Sequence, residues 1–124
     1  MATIVVEDVY LNGAFNNNQT IENVDCNYTK WRDNSMAYGF YECHNLQSVS
    51  NINENVTNMT LAFYNCHNLI TPPETPANVT DMDSAYYWCN NMTTTPNVPN
   101  TVTCLASAFQ WCENMPSFPD ISHT

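Results

Sequence analysis

NVTNMTLAFYNCHNL at residues 55–69 and NVTDMDSAYYWCNNM at residues 78–92 are two copies of one unit, offset by 23 residues. Outward from this pair, SMAYGFYECHNL begins at Ser35 and VTCLASAFQWCENM at Val102, in the same register. The register aligns Cys43, Cys66, Cys89 and Cys112. It also aligns Met36, Met59, Met82 and Leu105, and an aromatic column of Phe40, Phe63, Tyr86 and Phe109. Gly39, Ala62, Ala85 and Ala108 form a column of small residues, and Asn45, Asn68, Asn91 and Asn114 one of asparagine. Agreement of so many columns at one spacing marks a stacked repeat over residues 35–124.

Within each unit the spacing predicts two halves. Met59, Ala62, Phe63 and Cys66 stand at i, i+3, i+4 and i+7, the pattern of one helix face. Ser35, Asn58 and Asp81 precede the methionines and are favoured N-cap types, whereas Cys104 is a poor one. A helix of two turns is marginal alone, so packing between coils has to hold it. The second half is extended. Ile52, Thr75, Val98 and Ile121 form one column there, and Val56, Val79 and Val102 another. Pro73, Pro96 and Pro119 align as well. Proline cannot donate to a ladder, so the strands are expected to be short, with prolines at their flanks.

Residues 1–34 fall outside the register and read as an N-terminal β cap. TIVVEDVYL has the β-branched richness of a strand, Asn12-Gly13 is a turn signal, and NGAFNNNQ reads as loop. A cap of this kind covers the open end of a first coil. Trp31 belongs to that cover or stands out as an anchor.

Charge narrows the partners. The net charge is −10, and Lys30 and Arg32 are the only basic residues. Such a surface repels phosphate, which argues against nucleic acid and anionic membranes. It also keeps a protein soluble. No basic region precedes an apolar run, so neither a signal peptide nor a membrane-inserting segment is expected. The column cysteines occupy equivalent sites, so their Cβ vectors run parallel; a disulfide needs facing Cβ atoms. They are expected to pack as buried thiols. The pairing of Cys26 and Cys104 stays open.

Chemistry is sparse. Cys43-His44 and Cys66-His67 lack zinc pairing distances, and later copies replace His with Asn90 and Glu113. There is no nucleophile elbow and no glycine-rich phosphate loop. Asp81 and Asp83 suit a helix N-terminus. The reading is therefore non-enzymatic, with no catalytic residue, no metal set and no cofactor. The asparagine column is expected to satisfy backbone groups at coil corners.

One feature exceeds what folding needs. With the helix face inward, Tyr41, Tyr64, Tyr87 and Gln110 point to solvent, and Glu42, Asn65, Trp88 and Trp111 lie on the flank. Tyr and Trp dominate binding hot spots, so Tyr41, Tyr64, Tyr87, Trp88 and Trp111 form a candidate contact stripe. The alternative is that the rings lie flat over grooves and extend the core. At the other extreme, Phe109, Met115, Phe118 and Ile121 present apolar edges beyond the last coil. That end is expected to be covered by a second copy or by a larger assembly.

The pattern L-x-x-…-P-…-V-x-x-M-x-x-A-F-x-x-C-x-x-L resembles the BspA-like leucine-rich repeats of the Treponema pallidum type, across residues 35–121. The resemblance implies a small right-handed α/β solenoid of about four coils, each a short helix plus a short parallel strand. It also implies a surface role, because family members are described as adhesins, surface antigens and binding modules, and such repeats occur in phage proteins. The resulting expectation is a module that binds a protein or glycan ligand at a cell or virion surface. A phage particle component reconciles a surface role with the missing signal peptide. A purely structural module that docks into a particle or filament is the rival.

Overall fold

The computed structural model describes residues 3–30, 34–119 and 121. Trp31 and Arg32, and with Trp31 its expected place in the cap, lie outside the described residues. Three parallel strands form one sheet in the order β1-β2-β3: β1 (Ile4–Tyr10), β2 (Asn23–Lys30) and β3 (Ser48–Ser50). β2 meets β3 at Asn23↔Ser48, Val24↔Val49 and Asp25↔Ser50. β1 meets β2 at Ile4↔Val24 and Val5↔Asp25, with two irregularities further on. In each later coil the position of Ser50 is a proline, Pro73, Pro96 or Pro119. Without that N–H the ladder does not extend past β3. What remains is a line of single parallel bridges, Ser35↔Asn58, Asn58↔Asp81 and Asp81↔Cys104.

The expected leucine-rich-repeat solenoid of helix-plus-strand coils is overturned, and the BspA-like architecture with it. The described residues contain no α-helix. Met59, Ala62, Phe63 and Cys66 are fully buried, but on a chain of tight turns. Ala62, Tyr64 and Cys66 each donate their N–H three residues back, to Met59, Leu61 and Phe63, at 3.0, 3.4 and 3.1 Å. The alternate N–H groups, of Met59, Leu61, Phe63 and Asn65, leave the coil. They donate to the carbonyls of Asp81, Asp83, Ala85 and Tyr87 at 2.9, 2.9, 2.8 and 2.6 Å. An α-helix commits every interior N–H to its own i−4 carbonyl and has none to give a neighbour. From Met59 to Cys66 the turn chain divides its donors between itself and the next coil, so every backbone N–H of that stretch is satisfied.

The turns require left-handed residues. In each coil two positions have φ between 52° and 66°: Tyr38 and Glu42, Leu61 and Asn65, Ser84 and Trp88, Ser107 and Trp111. Each is the third residue of a turn, where the type II form needs positive φ. Ser35, Asn58 and Asp81 cap these turns, not helices. Their side-chain oxygens accept the N–H two residues on, at 3.1, 2.9 and 3.0 Å. Cys104 cannot do this well, and Ala106 N–H instead donates to Asp83 Oδ1 of the coil before, at 2.9 Å.

Residues 11–17 make a further coil, although the sequence reads Leu11 as the end of a strand and residues from Asn12 on as turn and loop. Gly13, Phe15 and Asn17 donate their N–H groups to the carbonyls of Ala37, Gly39 and Tyr41 at 3.0, 3.0 and 2.8 Å. Gly13 and Asn17 are left-handed, like Tyr38 and Glu42. Leu11 is fully buried, and Phe15 stacks on Phe40. The offset here is 25 residues rather than 23, as the β2–β3 register shows. That two-residue slip hid the coil from a search at fixed period.

A column of rings runs through the core along the stack, among the buried Met, Leu, Val and Cys columns. Phe15, Phe40, Phe63, Tyr86 and Phe109 follow one another at centroid distances of 5.4, 5.5, 5.2 and 6.0 Å, with planes within 11° of parallel. The thiols of Cys43, Cys66, Cys89 and Cys112 point inward as unbridged groups. Each donates to a carbonyl of the coil before, those of Phe15, Phe40, Phe63 and Tyr86, at 3.0 to 3.1 Å. Burial pushes the Cys43 thiol up to about 12 and Cys112 to about 11, and raises Cys66 and Cys89 well above the ordinary range. They stay protonated and serve as donors. In the asparagine column, Asn45 and Asn114 donate Nδ2 to the carbonyls of Gln19 and Asn90.

Candidate functional site

The lateral face carries three surface columns, set by the two left-handed corners of each coil. Tyr41, Tyr64 and Tyr87 are half-buried and stack at 4.9 and 4.8 Å, with planes 10° and 5° apart. Ring faces in this ladder cover one another. Only ring edges and hydroxyls reach solvent along its length. Tyr38 leans on the first ring at 5.5 Å and 44°. Glu42, Tyr64 and Tyr38 add to the loss of solvent that raises the Tyr41 phenol above its ordinary range.

Trp88 and Trp111 behave differently. They are 47% and 53% exposed and sit at the second left-handed corner of adjacent coils, φ 64° and 66°. Trp88 meets Tyr87 edge-on at 6.4 Å, with planes at 90°. The backbone ties the two corners together, since Trp88 N–H donates to the Gln110 carbonyl at 2.8 Å. Glu42, Asn65 and Asn17 occupy the equivalent corners in the other coils. The sequence-derived stripe thus divides in two: the structure gathers Tyr41, Tyr64 and Tyr87 into a self-covered ladder and leaves Trp88 and Trp111 as the open aromatics. Tyr38, 43% exposed, belongs to the same face and was missed. The left-handed turn geometry that puts it there has no signal in apolar spacing.

A third column flanks the indoles. His44 and His67 stack at 4.7 Å, 17° from parallel, and Asn90 and Glu113 continue the line. Asn65 Nδ2 lies 3.3 Å from His44 Nε2. Burial, then the neighbouring His44, lowers the His67 pKa from its ordinary 6.5. Cys43 and Cys66 point to the core, away from these rings.

The end of the stack is apolar. Leu105, Ala108, Phe109, Phe118 and Ile121 line an open hollow of about 300 Å³. Phe118 is 73% exposed and meets Phe109 edge-on at 6.3 Å. Met115 packs part-buried against the core and does not line the hollow. The N–H groups of Leu105, Ser107, Phe109 and Trp111 stand where earlier coils donate onward, and they find no acceptor among the described residues.

One acidic grouping arises only in three dimensions. Ligand atoms of Asp81, Asp83 and Cys104 lie within 4.8 Å of one another. Asp81 and Asp83 each already accept a backbone N–H with one oxygen, so turn capping accounts for their convergence. No helix among the described residues is long and apolar enough to cross a membrane. The chain matches no protein-family model, no curated protein and no solved structure.

Proposed function

We propose that this chain is a non-catalytic binding module whose contact surface is the lateral face at Trp88 and Trp111. One observation carries this reading. Both indoles are half-exposed at left-handed corners, where a bulky residue costs about 1 kcal/mol. Asn and Gly take that conformation readily, and Asn17 and Asn65 do so in other coils. Folding alone gains little from tryptophan there, and strained exposed residues cluster at sites of contact. The surface or virion setting came from the family resemblance. The described residues contain no helical coil of the kind that resemblance implies, and the proposal concerns the module alone.

The test is a change of stability. Trp88→Asn and Trp111→Asn should each move the unfolding free energy by less than about 1 kcal/mol, since strain relief offsets the lost edge contact. A loss of about 3 kcal/mol or more, as for a core aromatic, would show that the indoles are structural.

A second reading has its own observation. The apolar hollow and the four unmatched N–H groups at the last coil suit docking of a second copy or a larger assembly.

A further inference from the structure

We infer that the chain assembles head to tail, the last coil of one copy stacking on the first coil of the next, which rests on the last coil being a docking surface. Backbone polarity comes first. Each coil donates alternate N–H groups to carbonyls of the coil after it, as Tyr38, Phe40 and Glu42 do to Thr60, Ala62 and Tyr64. In the last coil the carbonyls of Ala106, Ala108 and Gln110 are already taken by Ser84, Tyr86 and Trp88. What it offers onward is a row of donors, the N–H groups of Ser107, Phe109 and Trp111, which meet no acceptor among the described residues. The first coil is the converse. Its donors at Gly13, Phe15 and Asn17 are spent on the second coil. Its alternate carbonyls, those of Asn12, Ala14 and Asn16, accept no hydrogen bond among the described residues, and all three residues are exposed.

These rows select the partner. Last coil against last coil sets donors against donors, and first against first sets acceptors against acceptors. Last against first pairs Ser107, Phe109 and Trp111 with Asn12, Ala14 and Asn16. That is the order in which Leu61, Phe63 and Asn65 already pair with Asp83, Ala85 and Tyr87. A second copy of this chain therefore carries the acceptor row that the last coil lacks.

The first coil also keeps a side chain small enough for stacking. The small-residue column faces the coil before it, since a Cβ at Gly39 would lie 3.1 Å from the Leu11 carbonyl oxygen. Ala62, Ala85 and Ala108 fill that narrow place and are at most 1% exposed. Ala14 precedes Phe15 as Gly39 precedes Phe40, yet it is exposed. Its own coil sets no limit on its size, whereas a coil laid against it does. Phe15 is half-buried there, while Phe40 and Phe63 are fully buried. It brings apolar surface to match the hollow of about 300 Å³ at the last coil, where Phe118 is 73% exposed. Residues 11–21 and 101–112 contain no Asp, Glu, Lys or Arg, so the joining coils carry no charge. The net charge of −10 repels copies at longer range, and salt screens that repulsion. Each addition leaves one free donor row and one free acceptor row, so growth continues past two copies.

The experiment is sedimentation velocity of the full chain across a concentration series, at low and high salt. The parent should form a series of oligomers that lengthens with concentration and with added salt. Phe118→Asp blocks the last coil and Ala14→Glu the first, with circular dichroism to check that both variants fold. Each variant alone should associate about tenfold more weakly than the parent, or less. An equal mixture of the two should form dimers and stop there, because one intact last coil meets one intact first coil. A parent that is monomeric at every concentration and salt overturns the inference and leaves the last coil to a different protein. Parent-like association of Ala14→Glu, with Phe118→Asp monomeric, also overturns it but keeps the last coil as the docking surface. Association untouched by either substitution removes the inference and the docking reading together.

Discussion

Two buried hydroxyls interrupt otherwise apolar columns, and removing both should stabilise the protein. Tyr86 stands in the ring column where Phe40, Phe63 and Phe109 stand elsewhere, and Thr75 in the column of Ile52, Val98 and Ile121. Tyr86 is fully buried and Thr75 is 3% exposed. Among the described residues neither hydroxyl has a partner of hydrogen-bond geometry. Each is the other's polar neighbour, and Thr75 slightly offsets the burial that raises the Tyr86 phenol far above its ordinary value. An unsatisfied buried hydroxyl costs about 1–3 kcal/mol. The double substitution Thr75→Val with Tyr86→Phe keeps both shapes and should therefore gain about 2 kcal/mol. For a chain of 124 residues, that raises Tm by roughly 6–10 °C. Tyr86→Phe alone should gain less than half as much, because the Thr75 hydroxyl stays orphaned; the pair is non-additive. Thermal melts by circular dichroism and urea titration of the four proteins in the cycle measure this. A double variant less stable than the parent would refute the reasoning and show that the two hydroxyls hold each other in a net favourable bond.

Cys66→Ala removes a buried thiol and its bond to the Phe40 carbonyl and should lower stability by about 1–2 kcal/mol, while reductant should leave the parent unchanged; in native labelling exposed Cys104 should react and Cys66 and Cys89 stay silent. His67, with its pKa below the ordinary 6.5, binds its proton more weakly folded than unfolded. Its contribution is present above pH 6.5 and lost as pH falls through the lower folded value. Urea midpoints between pH 7 and pH 5 should fall less steeply in His67→Asn than in the parent, and equal slopes would remove the histidine from the account. Phe118→Asp places a charge in the apolar hollow and should abolish any concentration-dependent light scattering of the parent; a parent that is monomeric at every concentration would end the self-association version of the docking reading.

The periodicity alone determined which side chains share a column and which columns are buried. Met59, Ala62, Phe63 and Cys66 are inside, and their equivalents follow one coil later, because burial repeats with the chain's own period. It could not determine the backbone beneath them. An i, i+3, i+4, i+7 pattern fits one face of a helix, and it equally fits a run of turns with a left-handed residue at Leu61 and Asn65. The choice between them is made by where the N–H groups go. The donors of Met59, Leu61, Phe63 and Asn65 are taken by the next coil, and such bonds exist only once two coils are stacked. The same cause separates the candidate site from its sequence reading. Tyr64 and Trp88 looked alike as exposed aromatics, but a step of 4.8 Å between coils closes the tyrosines onto one another. The left-handed corner turns Trp88 outward. The coil at residues 11–17 escaped for a related reason: its offset of 25 is set by the β2–β3 register, a pairing that forms between segments distant in the chain.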